Sequence, residues 1–253
     1  MAEIHSRRDG SLLIVTIANE AKRNAFTHAM TQALGSVLEE AEADPEVRCV
    51  LLTGAGDKAF SSGHDLSELL SDRDHAADEA LNAPFCRPRT MTTPTIAVVN
   101  GAAHAGGFIL ALSCDLRVCA ETANFAAPGA RIGLLPIGGQ ISRLPALVPF
   151  GFAYEMLATG RRVSAAEACR FGLVNLLSAP GCAMQDGLAI GRQIASNSPR
   201  VVAAIKRGLN LRIAEGEAAA TRFEWAEGGR MQSEPDADEG VRAFLEKRSP
   251  VFQ

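Results

Sequence analysis

Lys58-Ala59-Phe60-Ser61-Ser62-Gly63-His64-Asp65-Leu66 and Val99-Asn100-Gly101-Ala102-Ala103-His104-Ala105-Gly106-Gly107-Phe108 are the two glycine-bearing stretches that decide the reading of this chain. Each follows a short apolar, β-branched run, Val47 to Thr53 in the first case and Thr95 to Val99 in the second, and such runs read as buried strands. A glycine just past a strand lets a backbone amide face a cleft with no side chain in the way. Gly106-Gly107 also opens an apolar helix, so its amides stand at the positive end of a helix dipole. One amide from each stretch could converge on a carbonyl oxygen and stabilise the charge that develops there, an effect worth several kcal/mol. Ordinary strand-to-helix turns are the alternative.

Working outward, Leu12 to Ile17 and Leu116 to Ala120 read as two further strands. From Phe26 to Ala41 the apolar residues recur at helical spacing. Strands alternating with helices predict an α/β fold with a largely parallel sheet. Ser71 to Thr93 is polar and mixed, and is expected to be a mobile helix-and-loop excursion of the kind that forms a lid. After Gly160 the pattern turns almost wholly helical, beginning with a capping box, Ser164-Ala165-Ala166-Glu167. Helical patterns follow over 184–195, 199–215, 217–232 and 239–248. This divides the chain into an α/β body, residues 1–195, and a helical region, 196–253.

The bulk numbers exclude several classes of function. Of 253 residues, 47% are hydrophobic and 21% charged, the proportions of a globular protein with a substantial core. A formal charge of −4 argues against a nucleic-acid partner, which needs a basic face. No apolar run reaches the ~18–20 residues of a membrane span. The first eight residues lack the apolar centre of a secretory signal. The six cysteines are scattered without a CxxC pair, which fits neither a zinc site nor a disulfide framework. A reducing, cytoplasmic setting is therefore expected.

The motifs, taken in order, resemble the enoyl-CoA hydratase/isomerase (crotonase) superfamily. They run from Asn24-Ala25 through Ala59 to Leu66, Pro94 to Gly101, Cys114-Asp115-Leu116, Phe125 to Pro128 and Gly133 to Pro136. They continue with Thr159 to Ala165 and Gly172 to Asn175, and close with Glu239 to Arg248. The resemblance covers essentially the whole chain. It implies a crotonase-type ββα spiral with a helical C-terminal trimerisation region, assembled as a homotrimer or homohexamer. It further implies that the backbone amides of His64 and Gly106 form an oxyanion hole for an acyl-CoA thioester, with no cofactor beyond the coenzyme A of the substrate. Ala21, Lys22, Arg23, Ser62, His64, Asp65, Leu66, Gly106, Gly107 and Lys247 would contact the ligand.

Two positions depart from that pattern. Hydratases of the family use two glutamates; here the corresponding positions are Ile109 and Gly129. The sole carboxylate between Asp115 and Glu155 is Glu121, away from both. General acid/base catalysis requires a titrating group within hydrogen-bond reach and contributes roughly 10²–10⁴-fold, so classical hydration should be weak or absent. The sequence is most similar to the "enoyl-CoA hydratase domain-containing" branch, which lacks both glutamates. His64 could titrate near neutral pH, although the family uses the amide of that residue. His104 and Asp115 are expected to be structural, Asp65 to stabilise a turn, and Arg131 and Gln140 to border the acyl pocket. Two functions stay open: an enzyme acting on acyl-CoA thioesters through enolate stabilisation, and a non-catalytic acyl-CoA carrier.

Overall fold

A computed structural model of the protein describes residues 2–65, 67–68 and 78–253. One sheet carries six strands: β1 (Glu3–Asp9), β2 (Leu12–Ala18), β3 (Cys49–Gly54), β5 (Thr95–Val99), β7 (Leu116–Ala120) and β10 (Leu176–Ser178), in the order β1-β2-β3-β5-β7-β10. The β1–β2 pair is antiparallel and every later pair is parallel. A second sheet holds β4 (Ala59–Ser61), β6 (Ala102–His104), β8 (Asn124–Ala126) and β9 (Val163–Ser164), in that order. Each of β3, β5 and β7 runs the length of the first sheet, turns within a few residues and continues as a short strand of the second. Helix α2 (Glu79–Thr90) follows β4, and helix α3 (Gly106–Ser113) follows β6. Repetition of this β-β-helix unit winds the body into a spiral, as the family resemblance implies.

Burial along its whole length explains why β3 is apolar from Cys49 to Leu52. Its alternate residues Val50 and Leu52 face the main core with Met30, Leu34 and Leu38 of α1 (His28–Ala43). Cys49 and Leu51 face a second core under α7 (Ala183–Ala195). A strand covered on both faces has no polar side to alternate with. The two cores together bury the sheet and leave the C-terminal ends of β3 and β5, with the turns that follow, free to build a site.

The remaining helices are α4 (Leu144–Leu147), α5 (Phe150–Thr159), α6 (Ala165–Arg170), α8 (Pro199–Glu215), α9 (Glu217–Met231) and α10 (Pro235–Glu246). The chain after Gly160 is less purely helical than expected, because β9 and β10 each add a short strand. The cap before α6 forms by half: the Glu167 amide donates to Ser164 Oγ at 3.2 Å, whereas the Glu167 carboxylate turns to Arg161.

The expected lid is corrected where the structure describes it. Asp78 caps α2 through the Leu81 amide, and Phe85 and Pro88 are buried, so residues 79–90 form a packed helix. Pro84 and Pro88 inside that helix hid it from a reading by propensity. Residues 71–77 of the excursion lie outside the described residues.

Candidate active site

The first loop is set by Asn24. Its amide donates to the carbonyls of Ala55 (2.9 Å) and Ala59 (2.7 Å) and its oxygen accepts from Asn19, which clamps the 19–24 turn to the β3–β4 connection. The chain then runs beside Phe26: the Phe26 amide donates to Gly63 O and the Asp65 amide to Phe26 O, each at 2.8 Å. Bonding groups alternate along an extended chain, so the His64 N–H is turned to the side away from Phe26.

The second loop lies against the first. Ala105, at φ 47° and ψ −118°, occupies a conformation that L-residues rarely adopt, and it leads into α3. Such a strained residue costs of order 1–3 kcal/mol and persists only where its surroundings hold it. Here the Ala105 amide donates to Ala126 O, and the Ala105 carbonyl accepts from Ile109, the first bond of α3. The amides of Gly106, Gly107 and Phe108 precede that bond and stand at the positive end of the helix.

Contact between the loops leaves no room for side chains. Gly63 is at φ +95°, and a Cβ there would lie 2.8 Å from the Gly106 nitrogen. A Cβ on Gly107 would lie 2.2 Å from the Ser61 carbonyl oxygen. Phe85 closes the site from α2, its ring centroid 4.9 Å from that of His64 and 4.8 Å from that of Phe26. His64 and Gly106 therefore share one apolar corner at the ends of two parallel strands.

Three carboxylates near this corner, among the described residues, are engaged elsewhere. Asp65 accepts from Lys22 at 2.5 Å and from the amide and hydroxyl of Ser67. The Lys22 bond, with those from Ser67, holds its carboxyl down at about 2. These bonds tie Asp65 into its own turn and to the 20–23 turn. Asp115 accepts from the Thr95 amide and hydroxyl and from Lys206, as a structural residue should. Glu68 accepts from the His28 amide. Ile109, one turn into α3, is buried, and a Cβ on Gly138 would meet its Cγ2 at 2.6 Å. Gly129 sits in the 3₁₀ turn Pro128–Ile132.

The structure brings together Lys22, Arg23, Ser62, His64, Asp65, Gly106 and Gly107. The Ser62 amide donates to Arg23 O and its hydroxyl to Lys22 O, so the 20–23 turn and the first loop form one ledge, on which Ala21 is exposed. A cleft of about 250 Å³ beside it is lined by Ala21 and Arg23 and also by Lys58, which opens the first glycine-bearing stretch but was not expected among the ligand contacts. Leu66 lies outside the described residues. Lys247 is not joined to the ledge within the chain. It caps α10, after which the tail turns to the opposite end of β3, where Arg48 donates to Phe252 O. His104 bonds Asn124 at 2.7 Å, and burial lowers its pKa. Gln140 bonds within its own turn, and Arg131 is exposed, with its Cγ 2.7 Å from where a Cβ on Gly160 would stand.

Known proteins share this fold and much of the sequence. The profile of the enoyl-CoA hydratase/isomerase family matches residues 7–253. A carnitinyl-CoA dehydratase of Salmonella typhi is 35% identical over 99% of this chain and 98% of its own. A crystal structure of an enoyl-CoA hydratase from a Polaromonas species superposes with a TM-score of 0.93 at 33% identity, covering 99% of this chain and 100% of that one. One from Bacillus anthracis gives 0.94 at 30% identity, covering 99% and 98%.

Proposed function

From the premise that this chain belongs to the enoyl-CoA hydratase/isomerase (crotonase) family, we propose that it binds an acyl-CoA thioester with the carbonyl oxygen between the backbone amides of His64 and Gly106. The observation that carries this reading is the approach of the two loops, so close that a single Cβ on Gly63 would strike the Gly106 nitrogen at 2.8 Å. Donors held this rigidly need no reorganisation as charge develops on oxygen. The apolar corner formed by Phe26 and Phe85 excludes water and strengthens each hydrogen bond. Coenzyme A would lie along Ala21, Lys22, Arg23 and Ser62 to Leu66, and no further cofactor is needed. Lys247 would serve the site of a neighbouring subunit in a homotrimer or homohexamer. The exposed Trp225, Phe244 and Leu245 of the C-terminal helices support an assembly of that kind.

Polarisation without proton transfer is the chemistry left by Ile109 and Gly129. The carbonyl can be activated, but no carboxylate at either position takes or gives the proton that hydration requires. Classical hydration is accordingly weak or absent. The packing of Ile109 beneath Gly138 favours a second reading, a carrier that binds acyl-CoA without turning it over. Steady-state hydration of crotonyl-CoA and longer enoyl-CoAs, measured beside calorimetric binding, tests both. Binding with turnover far below that of a glutamate-bearing hydratase is expected. Hydratase-level turnover would overturn the reading of positions 109 and 129, and absence of thioester binding would overturn the function itself.

A further inference from the structure

Behind the glycine turn that covers Ile109 is a second cleft, of about 440 Å³, lined by Arg89, Thr90, Ser142, Arg143, Asn210 and Ile213 among others. Two guanidinium groups dominate it. A Cβ on Gly139 would stand 3.4 Å from Arg89 Nη1 and 3.5 Å from Arg143 Cβ, so both arginines flank that turn. Asn210 ties them together: Arg143 Nη1 donates to its Oδ1 at 2.9 Å, and its Nδ2 donates to the Arg89 carbonyl at 2.9 Å. Among the described residues no carboxylate forms an ion pair with either arginine. Asp115, whose charge is felt at Arg143, is held by Lys206 at 2.8 Å and by Thr95. Arg143 Nε is buried with no hydrogen-bond partner. Burial, with the neighbouring Arg89, lowers the pKa of Arg143. Gathering like charges and a buried unpaired donor costs stability unless an anion answers them.

We infer that the cleft between Arg89 and Arg143 is a binding site for a carboxylate-bearing ligand. Guanidinium forks match a carboxylate in two-pronged geometry. The hydroxyl of Ser142 offers an additional donor, whereas that of Thr90 donates to the Arg87 carbonyl, and Ile213 supplies an apolar wall. The cleft is divided from the thioester corner by the turn that contains Gly138 and Gly139 and by Cys86, whose Sγ lies 3.8 Å from the Gly138 carbonyl. Arg89 stands one helical turn, about 6 Å, beyond Phe85 on α2, and Phe85 closes the thioester corner. Two sources of the carboxylate are separated by experiment: a small free dicarboxylate, which needs only this cleft, or the far end of an acyl chain whose thioester occupies the first site and which would have to pass the edge of that turn. The free-acid arm does not depend on the acyl-CoA reading, so the two stand or fall separately.

The test is calorimetric titration of the intact protein and of Arg89→Gln, a substitution at the half-buried end of α2 that leaves Arg143 and its bond to Asn210 in place. Glutarate, inorganic phosphate and the matched pair adipoyl-CoA and hexanoyl-CoA are the probes. Glutarate saturating the wild type, with about tenfold or greater loss in Arg89→Gln and weaker binding of phosphate, supports a site for free carboxylates. Adipoyl-CoA binding about tenfold tighter than hexanoyl-CoA in the wild type, but equally in Arg89→Gln, places the acyl terminus there. The inference is overturned if glutarate fails to bind and the two thioesters bind alike, or if Arg89→Gln retains full carboxylate affinity. A changed assembly state of Arg89→Gln at matched concentration would also overturn it, since a side chain of a second copy would then be the anion.

Discussion

Gly63→Ala perturbs the point at which the two loops meet, and its consequences follow from two distances and one angle. The residue sits at φ +95°, where an L side chain costs about 1–2 kcal/mol. The new Cβ would be 2.8 Å from the Gly106 nitrogen, 3.0 Å from Ala105 Cβ and 3.3 Å from the His104 carbonyl oxygen. Two of those atoms are backbone, so the strand and the helix must separate by roughly half an ångström to restore ordinary contact. Strain and separation together should lower stability by about 2–3 kcal/mol, a fall of roughly 4–12 °C in Tm for a chain of this size. The atom displaced is the proposed donor itself. Acetoacetyl-CoA, whose carbonyl carries enolate character, should bind about tenfold more weakly, the worth of one charge-assisted hydrogen bond. Coenzyme A alone, which has no acyl carbonyl, should bind as it does to the wild type. Calorimetry with both ligands, beside thermal unfolding, separates the cases. Unchanged acetoacetyl-CoA affinity would refute the argument that these amides grip the carbonyl, and equal loss for both ligands would reduce the effect to general damage.

Other perturbations test the frame around the site. Lys206 is buried and donates to the Pro88 and Thr93 carbonyls (2.7 and 3.0 Å) and to Asp115 (2.8 Å), so Lys206→Met should cost about 3 kcal/mol and lower the urea midpoint by roughly 1 M; an unmoved midpoint would mean the lysine contributes nothing. Asp65 is held at about 2 against an ordinary 3.8. A depressed carboxyl adds stability above its unfolded value and loses it as pH falls from about 4 to about 2. Acid unfolding of Lys22→Met should show a flatter dependence across that window than the wild type, and superimposable profiles would contradict the pairing. Burial pushes Cys49, Cys114 and Cys119 up to about 12. A thiol reagent at pH 8 should leave these three unlabelled in the native protein and reach all six cysteines in denaturant; rapid native labelling of Cys114 would count against the packing around α3.

Much of this was legible because the signals were local. β5 and β7 are short runs dominated by apolar residues, interrupted in β7 by Arg117, and their bounds in the structure are those the sequence predicts. Helix α8 begins where Ser198 and Pro199 announce it. β1 went unread because it is an edge strand: among the described residues Glu3–Asp9 pairs with β2 alone, and its mostly exposed side chains carry no apolar alternation. The three-residue strands β4, β6 and β8 owe their form to neighbours in the second sheet, which no window of sequence contains. At the site, Gly63, His64, Gly106 and Gly107 were named by glycine and position. Phe85 was not, since its role depends on a helix that runs through two prolines. Arg89 and Arg143 were likewise invisible, because 54 positions of chain separate them and a glycine turn brings them together.

The most direct test is the carbonyl stretch of crotonyl-CoA carrying ¹³C at the thioester carbon, recorded by difference infrared spectroscopy on the bound ligand. Hydrogen bonds from the His64 and Gly106 amides should pull electron density toward oxygen and move the band to lower frequency than in water. Gly63→Ala should return it toward the free position. A ligand shown to be bound whose carbonyl band stays at its aqueous frequency would contradict the oxyanion hole on which the proposed function rests.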